Sequence, residues 1–341
     1  MTTREDSIES TVSNSSFSKH LPGLQIGVDS TSLGEFKQCP RKYYYNIIQG
    51  WQQKKMSVHL VFGSLLHSAR EVYDKAQAKG ASHDDALVAT VDWAMRATWD
   101  NALGRGWVSG DSIKNRLTLV RSIVWYLDHY GANDPVKTLL LPDGSPAVEL
   151  SFSFPSGYVA STGEDILLCG HLDRVAEFND DHYVSDIKTT ANELGDYYFA
   201  RFTPDNQFTL YTVAGRVAFS FQTKGIILDA LQIGVGFTRF HRKIIPRSKA
   251  TQEEWLEDTQ HWLRQMEEAA LASRWPMNDK SCGMYASKEN PGGCPFRGVC
   301  SKDPASREIF LKQDFTRRVW DPLVPRNPGK TEPGEATQSK E

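Results

Sequence analysis

Hydrophobic positions follow two different periods along the chain. Between about residues 31 and 130 the period is helical: in "VFGSLLHSAREVYDKAQAKG", Phe62, Leu66, Ala69 and Tyr73 recur at steps of four, three and four, and the run stops near Gly80. "SHDDALVATVDWAMRATWDNAL" and "SIKNRLTLVRSIVWYLDHYG" repeat the pattern. From residue 147 the period becomes two, with Val148, Leu150, Phe152 and Phe154 on one side of "AVELSFSF" and Glu149, Ser151 and Ser153 on the other. "ILLCGHLDRVAEF" and "HYVSDIKTT" predict two further strands, "PDNQFTLYTVAGRVAF" a helix, and "GIILDALQIGVGFTRF" one or two strands. A long helix then opens at Thr251, with Glu254 completing a capping box and Trp255, Thr259, Trp262, Met266 and Ala269 on one stripe. The order is mixed α/β around a small sheet, with a helical lobe in front.

No internal repeat interrupts this order. The Ser- and Thr-rich opening and the end "VPRNPGKTEPGEATQSKE" have few apolar positions and are expected to be mobile. The predicted division is an arm over 1–24, a helical lobe over 25–146, an α/β core over 147–275, a Cys-rich segment over 276–322 and a tail over 323–341.

Composition narrows the class. At 341 residues, 40% hydrophobic and 11% aromatic, the chain can bury one large core or two modest ones. A formal charge of −3 excludes a globally basic protein, so any polyanion must be met by a local patch. No run approaches the roughly 18 apolar residues of a membrane span, and the opening residues lack the apolar block of a secretory signal. A soluble, cytoplasmic protein with no membrane partner is expected. Five cysteines, Cys39, Cys169, Cys282, Cys294 and Cys300, are too few and too unevenly placed for a secreted disulfide framework.

The candidate chemistry sits in "GHLDRVAEFNDDHYVSDIKTT", which places an aspartate deep in each of two strands. If Asn179 and Asp180 form a two-residue turn, Phe178 faces Asp181, and counting back sets Asp173 opposite Asp186. A four-residue turn sets Asp173 opposite Lys188, and a three-residue turn separates the acids. Asp186 and Lys188, two apart, share a face. Two adjacent carboxylates repel unless a cation offsets them, and a hard ion such as Mg²⁺ takes one or two carboxylates together with water and phosphate oxygens. Such an ion would polarise a phosphodiester, with Lys188 orienting water or stabilising the developing charge. An ordinary exposed hairpin with Asp–Lys pairs has the same sequence. Two features favour the metal: His67, off its helix's apolar stripe, as a third ligand acceptable to Mn²⁺ or Mg²⁺, and Gln207 and Tyr211 at i and i+4, able to touch phosphate or base.

Cys39 lies in "FKQCPRKYYY" and Cys282, Cys294 and Cys300 in "SCGMYASKENPGGCPFRGVC". Four thiolates from both ends of a fold suit a tetrathiolate Zn²⁺ or a [4Fe–4S] cluster. The spacing, with eleven residues between Cys282 and Cys294 and five between Cys294 and Cys300, is not that of paired zinc knuckles and leans to iron–sulfur. Cys169 is left as a buried small hydrophobe.

In order, "STSLGEFKQCPRKYYY", "FGSLLHSARE", "GHLDRV", "SDIKTT", "QFTLY" and "CPFRGVC" resemble the RecB-like branch of the PD-(D/E)xK nucleases, including the CRISPR-associated exonuclease and the AddB nuclease domain. The resemblance implies a restriction-endonuclease-like α/β core and a Mg²⁺- or Mn²⁺-dependent DNA exonuclease. It implies His67, Asp173, Asp186 and the Ile187 carbonyl as metal ligands, Lys188 as catalytic lysine, Gln207 and Tyr211 as the later motif, and Cys39, Cys282, Cys294 and Cys300 around a [4Fe–4S] cluster. Glu149 matches an acid that some members place near the site. The chain departs from the family in its "GHLD" and in the long gap before Cys294, which leaves open whether Cys282 is a ligand.

The substrate expected for such a family is DNA, single-stranded or with free ends, in recombination, repair or phage DNA processing. No helicase motif is present, so a separate helicase or recombination/annealing partner is expected, or none. "TRFHRKIIPRSK", with Arg239, Arg242, Lys243, Arg247 and Lys249, is the best candidate groove lining, and Arg41 and Lys42 stand beside aromatics that can stack bases. A solvated basic face reads the same way.

Overall fold

The burial of one strand explains the centre of the molecule: in Thr223–Ile233 every residue except Lys224 is buried. A strand covered on both faces needs a near-continuous apolar run, as "GIILDALQI" supplies. The computed structural model describes residues 15–54, 57–131, 133–284, 286 and 293–325. The sheet has seven strands: β1 (Gly27–Val28), β2 (Lys137–Thr138), β3 (Val148–Val159), β4 (Asp165–Phe178), β5 (Asp181–Thr190), β6 (Thr223–Ile233) and β7 (Thr238–Pro246). Its main path is β1-β4-β5-β6-β7, and β2 and β3 also pair with β4.

The first half of β4 lies against β3 and, in parallel, β1; its last residues lie against β2 and β5. The β4–β5 hairpin has a two-residue turn. Asn179 and Asp180 take left-handed φ of 51° and 63°, and Phe178 pairs with Asp181. This turn matches the twist of the strands it joins. β5 and β6 are parallel and linked through helix Asn206–Phe219, and β6 and β7 form an antiparallel pair. β1 and β2 come from the two ends of the 25–146 stretch expected as a helical lobe, outside its helical run of about 31–130.

Helices cover both faces: α1 (Ser30–Gln38), α2 (Val58–Ala78), α3 (His83–Ala97), α4 (Arg116–Tyr130), α5 (Asn206–Phe219) and α6 (Lys249–Leu271). On one face, α5 and α6 enclose Phe152, Leu168, Val184, Phe208, Val213 and Leu228. On the other, the α2 stripe of Phe62, Leu66, Ala69 and Tyr73 joins Leu119, Ile123 and Leu127 against Ile187, Leu231 and Ile233. The helical lobe therefore packs directly on the sheet. The α6 N-cap is Ser248, whose side chain accepts from Thr251 N, three residues before the expected start. With that phase the fully buried positions include Thr259, Leu263, Met266 and Ala270, while Trp255, Trp262 and Ala269 are only partly buried.

The segment after α6 returns to the chain's beginning. Phe315–Arg317 pairs with Trp51–Gln53, and Tyr45, Trp51, Phe296, Val299, Leu311 and Phe315 form a small core there. Residues 15–24 of the expected arm are placed: Phe17 bridges Gln25, and Leu24 is buried. Residues 1–14, the tail beyond 325 and most of the insert before Cys294 lie outside the described residues. Among the described residues no helix is long and apolar enough to cross a membrane.

Because Asp180 occupies a left-handed position, Asp180→Val should destabilise the fold by about 1–2 kcal/mol, and Asp180→Gly should not. Urea unfolding of the two variants checks this; equal midpoints would contradict the turn.

Candidate metal centre

The β4–β5 ladder ends at the pair Arg174–Ser185. Asp173 and Asp186 are thus the first residues past it, at the point where β4 continues along β3 and β5 along β6. His67 reaches this point from α2. Its Nδ1 is 3.1 Å from Asp173 Oδ2, and its Nε2 is 3.8 Å from Asp186 Oδ1 and 2.7 Å from the Ile187 carbonyl oxygen. One ligand atom from each of His67, Asp173 and Asp186 lies within 4.8 Å of the others.

Asp186 is 1% exposed, and neither carboxylate oxygen has a hydrogen-bond partner of good geometry among the described residues; its close neighbour is the Lys188 ammonium, 2.7 Å from Oδ2 as an ion pair. A buried carboxylate so poorly served is costly without a cation. Burial and the Asp173 charge push the Asp186 carboxyl above its ordinary range, against the pull of Lys188. Burial would lower the His67 pKa, but the Asp173 and Asp186 charges outweigh it and raise it to about 9. The cluster therefore attracts one more positive charge, and two carboxylates, an imidazole and a carbonyl suit a divalent ion such as Mn²⁺ or Mg²⁺.

Lys188 is fixed from the other side. Its Nζ donates to Gln207 Oε1 at 2.9 Å, and Gln207 Nε2 donates to the Tyr211 hydroxyl at 3.1 Å. Gln207 and Tyr211 lie one turn apart on α5, whose N-cap Asp205 accepts from Phe208 N. Against burial, the Asp186 charge holds the Lys188 pKa above its ordinary value, so the side chain is a cation and a donor at neutral pH. Glu149 falls between the pairs Val148–Arg174 and Leu150–Leu172, level with Asp173 in sequence register, and has a left-handed φ of 51°.

Behind the cluster is a set of buried charges that the sequence reading missed. Arg70, one turn beyond His67, lies 3.0 Å from Asp74; Arg174, next to Asp173, lies 3.5 Å from the same carboxylate. Thr138 donates to Asp74 at 2.9 Å and accepts from Arg174 at 2.9 Å. Asp74 thereby ties the helix carrying His67 to the strand carrying Asp173. Further in, the Tyr126 hydroxyl donates to Asp229 at 2.7 Å. The available signals were an acid inside the apolar run of β6 and an Arg–Asp pair at i and i+4 on α2.

This network also corrects the expected basic lining. Arg242 is turned inward, 2.6 Å from both Asp229 and Asp134, with its guanidinium 3.9 Å from the Tyr130 ring centroid. Arg247 is buried and donates to the Phe202 carbonyl at 2.7 Å, and Lys249 faces Glu253. Arg239 and Lys243 are exposed. Arg41 donates to the Trp275 carbonyl at 2.8 Å, and Lys42 pairs with Glu35 at 3.1 Å, so both are engaged by protein groups around the cysteines.

The four cysteines come from opposite ends of the described chain to one place. Cys39 Sγ accepts from Asn278 N at 3.4 Å, and Gln38 O accepts from Ser281 Oγ at 2.7 Å, which sets Cys282 beside Cys39. Cys294 N donates to Cys282 O at 3.0 Å, so the two cysteines that flank the eleven-residue gap stand side by side. Burial pushes the Cys300 thiol up to about 11; Arg41 opposes this, while Cys294 and Cys39 add to it. Cys169 is fully buried elsewhere.

The family model of the PD-(D/E)XK nuclease superfamily matches residues 30–301, a span that includes every group above. No curated protein matches the chain at a significant level. A solved structure described as "Crystal structure of SSO0001" aligns with a TM-score of 0.32 at 12% identity, covering 81% of this chain and 86% of that one. A likeness so distant carries no weight for the site.

Two outcomes follow from the charge arrangement. Mn²⁺ at about 100 times its Kd should stabilise the protein by about 2.7 kcal/mol. It should leave Asp186→Asn unchanged, while that variant, freed of a poorly solvated charge, should be no less stable than the parent without metal. Thermal unfolding with and without Mn²⁺ reads both. Asp74→Asn, which touches no ligand, should weaken Mn²⁺ binding about 10- to 100-fold by calorimetric titration, as loss of an outer support does at other metal sites.

Proposed function

The chain belongs to the PD-(D/E)XK nuclease superfamily, and from that premise we propose that it is a metal-dependent deoxyribonuclease, an exonuclease acting on single-stranded DNA or DNA ends in recombination, repair or phage DNA processing. The observation that carries the nuclease reading is the buried, poorly solvated Asp186 carboxylate grouped with His67 and Asp173 and paired with Lys188. The preference for DNA ends rests on the motif resemblance to the RecB-like branch.

His67, Asp173, Asp186 and the Ile187 carbonyl would hold Mg²⁺ or Mn²⁺. Such an ion supplies Lewis-acid polarisation of the phosphodiester and lowers the pKa of water. The protein's own part follows from the hydrogen bonds. Lys188, held beside Asp186 and Gln207, would orient an incoming water or donate to a phosphoryl oxygen as charge develops. Tyr211 and Gln207 hold its amine in place, and the Asp186 charge keeps the proton on it.

For the cysteines we propose a [4Fe–4S] cluster, with structural Zn²⁺ as the alternative. Tetrahedral zinc with Zn–S bonds of about 2.3 Å needs its sulfurs less than about 4 Å apart. The preference for the larger cluster rests on the motif resemblance and on cysteine spacing unlike that of paired zinc knuckles. Arg41 and Lys42 would offset the thiolates' charge.

Protein purified without air should be brown, with about four iron atoms per chain; zinc in place of iron would reverse the cluster assignment. With Mg²⁺ or Mn²⁺ it should degrade end-labelled linear single-stranded DNA and spare circular DNA. Asp186→Asn and Lys188→Ala should each reduce cleavage at least about a hundredfold while the protein stays folded and brown. Full activity in either variant would refute the site, and DNA binding without cleavage by the parent would favour a non-catalytic end-binding module.

A further inference from the structure

The strand registers align catalytic and basic residues on one face of the sheet. Asp186 pairs with Leu228 and Leu228 with Lys243; Lys188 pairs with Ala230 and Ala230 with His241; Thr190 pairs with Gln232 and Gln232 with Arg239. Partners in register project to the same side, so Arg239, His241 and Lys243 form a row on the edge strand β7 parallel to the row of Thr190, Lys188 and Asp186. Two strand spacings, about 10 Å, separate the rows. All three β7 side chains are exposed, whereas Phe240 and Arg242 between them face α4. Successive members of the row stand about 6.8 Å apart, a stride comparable to that between phosphates of an extended single strand.

Aromatic groups accompany the row. The short helix Asp196–Ala200, between β5 and α5, is anchored by Tyr198 and Phe199, both 3% exposed. Phe199 meets the His241 ring at 4.7 Å between centroids and lies under the Lys243 amine at 5.1 Å. Tyr197 on the same helix is 92% exposed. Arg201 closes the helix over Tyr198 at 4.6 Å, and Arg239 lies over the exposed Phe237 at 4.9 Å. Of the acids in this connection, Glu193 and Asp196 precede Tyr197 and Asp205 caps α5, and none stands in the β7 row.

We propose that the outer face of β7 and the Asp196–Ala200 helix form the track for the substrate strand: Arg239, His241 and Lys243 take successive phosphates, Arg201 takes a flanking one, and Tyr197 stacks an unpaired base. The occupant is single-stranded DNA, because an exposed ring on an anchored helix offers a stacking face to an unpaired base, and cations at strand spacing track a backbone without reading sequence. The inference rests on the nuclease reading and assigns the surface that reading leaves open.

The test is fluorescence anisotropy of the full-length protein with a labelled 15-mer of thymidylate, in chelator so that no cleavage occurs, over a salt series. The parent should bind, with affinity falling steeply as salt rises. Arg239→Gln with Lys243→Gln should remove two phosphate contacts and lower the magnitude of the log–log salt slope by about 1.4. Tyr197→Ala should weaken single-strand binding about tenfold and leave binding of a duplex of equal length unchanged. Arg96→Gln, on the exposed i,i+4 pair with Asp92, serves as the surface control and should bind as the parent does. A parent that binds with salt dependence while the β7 and Tyr197 variants match it overturns the track and leaves the nuclease reading standing. A parent that neither binds nor cleaves DNA overturns both.

Discussion

The two-residue turn at Asn179 and Asp180 is the constraint from which the site follows. Side chains alternate along a strand, so a slip of one residue would send Asp173 and Asp186 to opposite faces of the sheet. The left-handed pair of residues fixes the register, and the ladder then stops one pair short of the acids. Because β4 and β5 take different partners beyond that pair, the acids lie where His67 can approach from a helix on the other side. The chemistry thus sits where the hairpin ceases to be a hairpin.

Local stability is given up at that point and supported from behind. The Asp186 carboxylate is poorly solvated, a state that persists only when the surroundings leave it no alternative. Arg70 and Arg174 converge on Asp74, and the second tier of Tyr126, Asp229, Arg242 and Asp134 lies deeper between helices and sheet. Three arginines face three aspartates there, so this interior is balanced by its own charges, while in front of it two carboxylates are crowded against His67 and Lys188. Removing one member of such a set is destabilising, because it strands a charge in a medium that cannot solvate it.

Much of this was legible in the residues. The α2 stripe, the alternation of β3, the hairpin and the long apolar run of β6 follow directly from periodicity, and the chain's order of motifs pointed to a nuclease fold, whereas the turn length stayed open among two, three and four residues until the structure fixed it at two. The misreadings have physical causes. Arg242 looked like part of a basic groove because its neighbours are basic, but alternation turns it to the face where Asp134, more than a hundred residues earlier, receives it. The start of α6 was read at Thr251 from its capping box with Glu254, but Ser248, three residues earlier, is the cap that accepts the hydrogen bond. Tyr197 gave no signal at all, since only its exposure distinguishes it from the buried aromatics beside it.

The pinch at the base of the Cys282–Cys294 insert has its own consequence. With Cys294 N bonded to Cys282 O, the two cysteines are set beside each other by a backbone hydrogen bond, whatever the number of residues between them in the sequence. That bond, and not the count of intervening residues, defines where the second thiol stands relative to the third. Spacing along the sequence is thus a poor guide to thiol geometry in this protein, and a search keyed to a fixed gap between those two cysteines would pass over chains built the same way.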